Sequence, residues 1–349
     1  MKITCEGCGK VYNIPDERIP VDKKISFPCP ACKGSIHIDR RPEALKKATS
    51  PEKKGYAGQS VEIERDLPRG EVLQKIILRR LSELPPMPQV MFKAREIMND
   101  PASSFKALAD ILESDQAMAT RVLRLSNSAY YGLVGKVTSV QHAAVLLGYK
   151  TVGEVVSMAS ASRLLGDSLD GYKLDSGDLW EHSLAVAFAS KLIAGKKRRE
   201  LENDAFSAGL IHDAGKILLN KYLLERNQEF ERYMMDGQKT FLNAEKDILG
   251  FDHGEIAAAM CDAWKIPKSL NSGICYHHNP FFSKDNDLAN IVHVADSLAL
   301  MSGIGAGIDG MLYKMDQRAV EFLGLSEDDL RGVLDETVES VEKITAQLQ

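Results

Sequence analysis

Two textures follow one another along the chain. Residues 1–38 alternate apolar and polar positions in short runs: Met1-Lys2-Ile3-Thr4, Lys10-Val11-Tyr12-Asn13-Ile14-Pro15, Lys24-Ile25-Ser26-Phe27 and Gly34-Ser35-Ile36-His37-Ile38. A period of two belongs to half-buried strands, so these runs predict β-hairpins with turns between them. Residues 39–70 are rich in Pro, Lys, Gly, Ser and Glu and show no apolar period, the composition of a flexible linker.

From Gly70 onward the apolar period becomes helical. Val72, Leu73, Ile76, Ile77 and Leu81 mark a helix that Leu84-Pro85-Pro86-Met87-Pro88 breaks, and Val90, Ala94 and Ile97 mark a second. Ser104 is a candidate N-cap for a helix carrying Leu108, Ile111 and Leu112; Met118, Val122, Leu123 and Leu125 form the next; Ser139 caps one ending near Gly148, and residues 152–165 are helical again. After a polar loop at 166–178, Trp180, Leu184, Phe188 and Leu192 recur every four residues. Further helical segments are predicted at 205–222, 240–264, 268–276 and 288–301. A glycine-rich stretch at 303–310 sets off the end. Its last helix opens with a capping box, Ser326 and Asp329, and carries an apolar stripe from Leu330 to Leu348. That stripe must be buried, on the N-terminal half of the helical body or against a second copy of the chain. The fold class is mainly α: a helical body at 71–302, in halves 71–166 and 178–302, preceded by a small β module at 1–38 and a linker at 39–70, and followed by a helical extension at 303–349.

Length and charge add limits. A chain of 349 residues suggests two or three domains. The net charge of −5 is uneven: residues 1–40 carry +2 and 41–60 carry +3, leaving about −10 on the remainder. A mildly basic front on an acidic body does not favour nucleic acid as the partner. No apolar run is long enough to cross a membrane, and the N-terminus has no signal-peptide core, so a cytoplasmic protein is expected.

Four of the six cysteines form two pairs, Cys5-x2-Cys8 and Cys29-x2-Cys32. In a reducing cytosol such pairs are ligands before they are disulfides. Two knuckles on neighbouring hairpins complete a tetrahedral four-sulfur zinc site with no open position, so this zinc is structural. So short a module has too little core to fold without it. A redox pair or chance spacing is the alternative reading. Together with Tyr12-Asn13-Ile14-Pro15-Asp16-Glu17-Arg18-Ile19-Pro20, the knuckles resemble the small zinc ribbons at the N-termini of prokaryotic regulatory proteins. Cys261 and Cys275 stand apart in apolar helical surroundings, as buried structural thiols.

Five of the eight histidines fall into one pattern with two aspartates: His182, His212-Asp213, His253, His277-His278 and Asp296. Any one of them alone reads as a core histidine whose hydrogen bonds are satisfied. As a set they offer imidazole nitrogens and carboxylates, the mixture that suits iron, manganese or zinc. His182, His212, Asp213 and Asp296 would form one site; His253, His277 and His278 would form or share a second, with Asp213 bridging and Glu245 a weaker candidate. Lys216, one turn after His212, would face a phosphate oxygen if the site is catalytic, with Gly215 leaving room for close approach.

This constellation resembles the HD superfamily of metal-dependent phosphohydrolases. The His212-Asp213-Ala214-Gly215-Lys216 segment and the His277-His278 pair look most like the branch that hydrolyses cyclic di-GMP. The chain departs from that branch after the pair, where it reads Asn279-Pro280-Phe281-Phe282. Upstream, Ile111-Leu112-Glu113-Ser114-Asp115, Leu125-Ser126-Asn127-Ser128-Ala129-Tyr130-Tyr131-Gly132 and Ser139-Val140-Gln141-His142-Ala143-Ala144, with Leu249-Gly250-Phe251-Asp252-His253-Gly254 downstream, resemble an HDOD (HD-related output) domain from about residue 75 to 300. The resemblance implies a bacterial signal-transduction protein whose helical body binds a signalling partner. The retained ligands leave a second reading, a metal-dependent phosphohydrolase acting on a nucleotide or cyclic dinucleotide.

Overall fold

A computed structural model describes residues 2–4, 10–13, 24–28, 35–39, 67–80, 97, 103–113, 115–235, 239–305, 307–308 and 313–346. The chain divides into two compact units, 1–66 and 67–349. In the first, β1 (Lys2–Thr4) pairs antiparallel with β2 (Val11–Asn13), and β3 (Lys24–Pro28) with β4 (Ser35–Asp39), in the runs that alternate in the sequence. Cys5, Cys8, Cys29 and Cys32, and most of the expected linker, lie outside the described residues.

The second unit is helical. It begins with α1 (Gly70–Arg79), followed by α2 (Phe105–Glu113) and α3 (Gln116–Ser126). Residues 67–69, at the predicted end of the linker, are held to the body: Arg226 Nη2 donates to the Pro68 carbonyl at 2.8 Å, and Arg69 pairs with Glu229. Ser104 and Ser139 accept from the backbone N–H three residues on, as N-caps do. α4 (Val140–Leu165) is broken at Gly148, whose φ of 76° only glycine adopts without strain.

The centre of the unit is built from α5 (Asp178–Lys197), α6 (Glu202–Ile211) and, later in the chain, a helix at Asp287–Ser302. α5 and α6 cross closely because Gly209 has no side chain; a Cβ there would lie 2.7 Å from the Val186 carbonyl oxygen. α7 (Gly215–Glu225), α8 (Asn227–Met234) and the short α9 (Phe241–Ala244) follow. A single π-turn at Glu245–Leu249 leads into α10 (His253–Ala263), and α11 (Lys268–Cys275) precedes the central α12 (Asp287–Ser302). α12 buries every residue from Leu288 to Ala299, as a helix surrounded by others must.

The two longest predicted segments of the second half are interrupted. Residues 205–222 split at His212–Ala214, and residues 240–264 split at Gly250–Asp252, where Gly250 has φ 95° and Asp252 caps α10 by accepting from Glu255 N at 2.8 Å. Both interruptions end at the site described below.

α13 (Gln317–Leu323) and α14 (Glu327–Thr345) complete the chain. The Ser326–Asp329 capping box is present. The stripe of α14 buries Val333, Thr337, Val341 and Ile344 mainly on α5, with a smaller contact at Ala129–Tyr131. The expected seat on the N-terminal half is therefore the lesser part. Lys196 and Lys197 at the end of α5 both reach Asp329, which fixes α14 to α5 instead. Among the described residues no helix is long and apolar enough to cross a membrane.

Candidate metal centre

Helix ends and helix faces deliver the seven predicted ligands to one place. α6 stops at Ile211, so His212 and Asp213 sit in the turn before α7; His253 opens α10; His277 and His278 follow the end of α11; His182 and Asp296 come from the buried faces of α5 and α12. His182, His212, Asp213, His253, His277 and Asp296 each expose 3% or less of their surface. The ligand atoms of Asp213, His253, His277 and His278 all lie within 4.8 Å of one another; so do those of His182, His212 and Asp213, and those of His212, His277 and Asp296. Asp213 belongs to two of these groups.

The ring nitrogens are oriented as metal ligands require. His212 Nδ1–H donates to the Gly209 carbonyl at 2.8 Å and His277 Nδ1–H to the Ile274 carbonyl at 2.6 Å, so in each ring the Nε2 lone pair faces inward. His253 Nδ1–H donates to Glu245 Oε2 at 2.8 Å; the same oxygen accepts from the His253 backbone N–H, and Glu245 Oε1 accepts from Tyr172 OH at 2.6 Å. Glu245 therefore stands behind His253 and holds it, away from the ligand atoms. Lys216 Nζ lies 2.5 Å from Asp213 Oδ2 and is itself buried, so in this arrangement it neutralises that carboxylate. The space at Gly215 is filled by protein: a Cβ there would lie 2.0 Å from the His253 carbonyl oxygen.

The residues fit a cation. Three buried atoms at the centre have no hydrogen-bond partner, His212 Nε2, His277 Nε2 and His278 Nδ1, and Asp213 Oδ1 has only His253 Nε2 beside it, at 3.1 Å. His212 Nε2 faces Asp213 Oδ2 at 3.4 Å and Asp296 Oδ1 at 3.8 Å, and the Nε2 atoms of His253 and His278 stand 2.7 Å apart. Lone pairs so gathered repel one another unless a proton or a metal lies between them.

The charges point the same way. Burial opposes the charge of Asp213, but the neighbouring His212 and Lys216 outweigh it and hold the carboxyl well below the usual range; His182 and His212 do the same for Asp296. Burial lowers the pKa of His253, yet Glu245 and Asp213 outweigh it and raise it well above 6.5, and Asp296 and Asp213 raise that of His182. Burial and the adjacent histidines push His277 down to about 3 and His278 well below its usual value.

Two further residues, unmarked by any motif, complete the surroundings. His293 on α12 touches the His277 carbonyl, and Tyr313 brings its ring 5.1 Å from that of His278. Gly305, in the stretch expected to separate off the end of the chain, lies on the site: a Cβ there would meet the Asp178 carbonyl oxygen at 2.2 Å and His182 Cβ at 2.8 Å. The clue available in the sequence was the density of glycine at 303–310, which marks close backbone approach as readily as a hinge.

The HDOD domain model matches residues 84–280, more than half of the chain. The chain belongs to the HDOD family. A zinc-ribbon domain matches residues 1–37 in front of it. An HDOD domain protein of unknown function from Geobacter sulfurreducens is 25% identical, with a TM-score of 0.64 over 79% of this chain and 95% of the other. A Shewanella amazonensis SB2B protein, provisionally named a phosphohydrolase, is 24% identical, with a TM-score of 0.61 over 78% and 98%, a likeness of fold. An uncharacterized protein of Treponema pallidum (strain Nichols) is 23% identical over 213 residues; the match spans 58% of this chain and 39% of that relative's length.

Proposed function

We propose that this HDOD protein is a regulatory output module. Its HD-type centre would hold one or two divalent transition metals in a structural role, and its helical surface would bind a signalling protein. The observation that carries the reading is the burial of the centre. Six of its seven ligands expose 3% or less and His278 is half-buried, Lys216 is spent on Asp213, and the backbone at Gly305 and the Tyr313 side chain stand against His182 and His278. A metal enclosed by side chains ties α5, the α6–α7 turn, α10, α11 and α12 together, as structural metals do. In this reading His182, His212, Asp213 and Asp296 hold one ion, and His253, His277 and His278 share Asp213 with it to hold a second. The ribbon zinc on Cys5, Cys8, Cys29 and Cys32 stabilises the N-terminal module.

The complete ligand set supports a second reading. A carboxylate shared between two cation sites is the arrangement that metal-dependent phosphohydrolases use to activate water. A bound metal would supply that activation; Lys216 would have to leave Asp213 to hold a phosphate. The readings separate on turnover. The full chain, reloaded with manganese or iron, should not hydrolyse cyclic dinucleotides or simple phosphodiesters. Hydrolysis that disappears in Asp213→Ala would establish the enzyme and end the module reading.

A further inference from the structure

We infer that Lys216 is the resident cation of one half of the centre, so that the protein takes a single divalent metal in the other half, on Asp213, His253, His277 and His278. The inference rests on the metal-holding reading above and narrows its two positions to one.

The two oxygens of Asp213 face different neighbours. Oδ2 lies 3.4 Å from His212 Nε2 and 3.7 Å from His182 Nε2. Oδ1 lies 3.1 Å from His253 Nε2 and 3.9 Å from His277 Nε2. Lys216 Nζ stands on Oδ2, at 2.5 Å. A buried ammonium so close to a buried carboxylate is an ion pair that is costly to break, because each partner would be left as an unpaired charge out of water. The amine is also held in place. At the start of α7 the Lys216 backbone N–H donates to the Asp213 carbonyl at 3.0 Å, and Nζ lies 5.6 Å from the centre of the Tyr172 ring.

His182 is engaged on the same side. Its Nε2 is 3.1 Å from Asp296 Oδ1, while its Nδ1 is 3.4 Å from the Ile304 carbonyl oxygen. The shorter contact, to a carboxylate, puts a ring proton on Nε2. With that proton Nε2 has no lone pair to offer a metal. In the group of His182, His212 and Asp213, His212 Nε2 is then the one donor atom that the protein itself does not engage. One nitrogen does not hold an ion.

The Oδ1 side is different. His253 and His277 give Nδ1–H to Glu245 and to the Ile274 carbonyl, so both turn an Nε2 lone pair toward Oδ1. His278 Nε2 stands 2.7 Å from His253 Nε2. Three imidazoles and one carboxylate oxygen, gathered within 4.8 Å, make a complete donor set for one divalent transition metal. A second divalent ion on Oδ2 would have to displace the ammonium, and the displaced charge would then repel both ions from close range. Lys216 thereby keeps the centre from the two-ion arrangement that activates water.

The test counts cobalt(II) on the full chain by elemental analysis, after saturation and gel filtration. Asp213→Ala keeps the ribbon and loses both carboxylate oxygens, so the excess over this variant is the cobalt at the centre. The wild type should show an excess of one ion, and His278→Ala should lose it. Lys216→Met keeps the length of the side chain and removes its charge; its excess should rise to two, with unchanged far-ultraviolet circular dichroism. Should Lys216→Met fail to fold, the wild-type count and its loss in His278→Ala decide. An excess of two in the wild type, an excess of one in folded Lys216→Met, or an ion kept in His278→Ala would overturn the inference and leave the metal-holding reading intact. No excess in the wild type would end both.

Discussion

His253 shows what one imidazole must do at this centre. It gives Nδ1–H to Glu245 and turns Nε2 toward Asp213 and His278. With Glu245 and Asp213 overcoming burial, its pKa is raised well above 6.5, and that of His182 is raised by Asp296 and Asp213. With a pKa well above 6.5, metal-free His253 holds its proton at neutral pH, and the raised pKa of His182 keeps its proton to higher pH than a free imidazole would, while a metal takes the neutral ring. Loading at about pH 7 should therefore release protons, and affinity should fall as pH falls. Calorimetry in buffers of different ionisation enthalpy measures the release; a binding enthalpy independent of the buffer would contradict it. Cys261 makes a separate case. It is buried, and burial with Asp262 and Cys275 nearby pushes its thiol up to about 12. Alkylation mapped by mass spectrometry should modify it only after unfolding; rapid labelling of the native chain would contradict the assignment. At this scale the gathering of these histidines and aspartates was legible because their residue types are spaced in a known pattern. His293, Tyr313 and Tyr172 were not, because their roles come from contacts across 16 to 73 positions of sequence.

At the scale of elements, caps were readable and interior breaks were not. Ser104, Ser139 and the Ser326–Asp329 box begin helices as their chemistry requires. Residues 205–222 and 240–264 carry continuous helical patterns, yet tertiary packing opens both. In the first, α7 must start where its backbone meets α10, and only glycine permits the approach at 215. Gly215→Ala, an improvement in helix propensity, should instead destabilise the protein by about 1–3 kcal/mol through overpacking on the His253 carbonyl. Thermal denaturation measures this, and an unchanged or raised melting temperature would contradict the packing. The same interruptions place His212, Asp213 and His253, so the misread boundaries coincide with the His/Asp cluster. That coincidence has a physical reason: a metal ligand at a helix end can turn inward without competing for the helix's own hydrogen bonds.

Across the whole molecule, the C-terminal extension is part of the body. α14 buries Val333, Val341 and Ile344, each worth about 1.5–3 kcal/mol, chiefly on α5, the helix that carries His182. Removing residues 326–349 should lower the melting temperature and expose the buried face of α5; full retention of stability would show that the contact contributes little. The β module belongs to a separate compact unit, so Cys29→Ser should cost one zinc per chain and the fold of residues 1–38 while the helical circular dichroism stays. The two-part layout was legible in the change from a period of two to a helical period. The seat of α14 was not, because an apolar stripe states that a face is buried and not which partner buries it.

Elemental analysis of the full chain, purified without chelator, should find transition metal in excess of the one zinc expected in the ribbon. Asp213→Ala should lose that excess and keep the ribbon zinc. An identical metal content in the two proteins, one zinc per chain and nothing more, would show that the His/Asp cluster is held together by protons and hydrogen bonds alone.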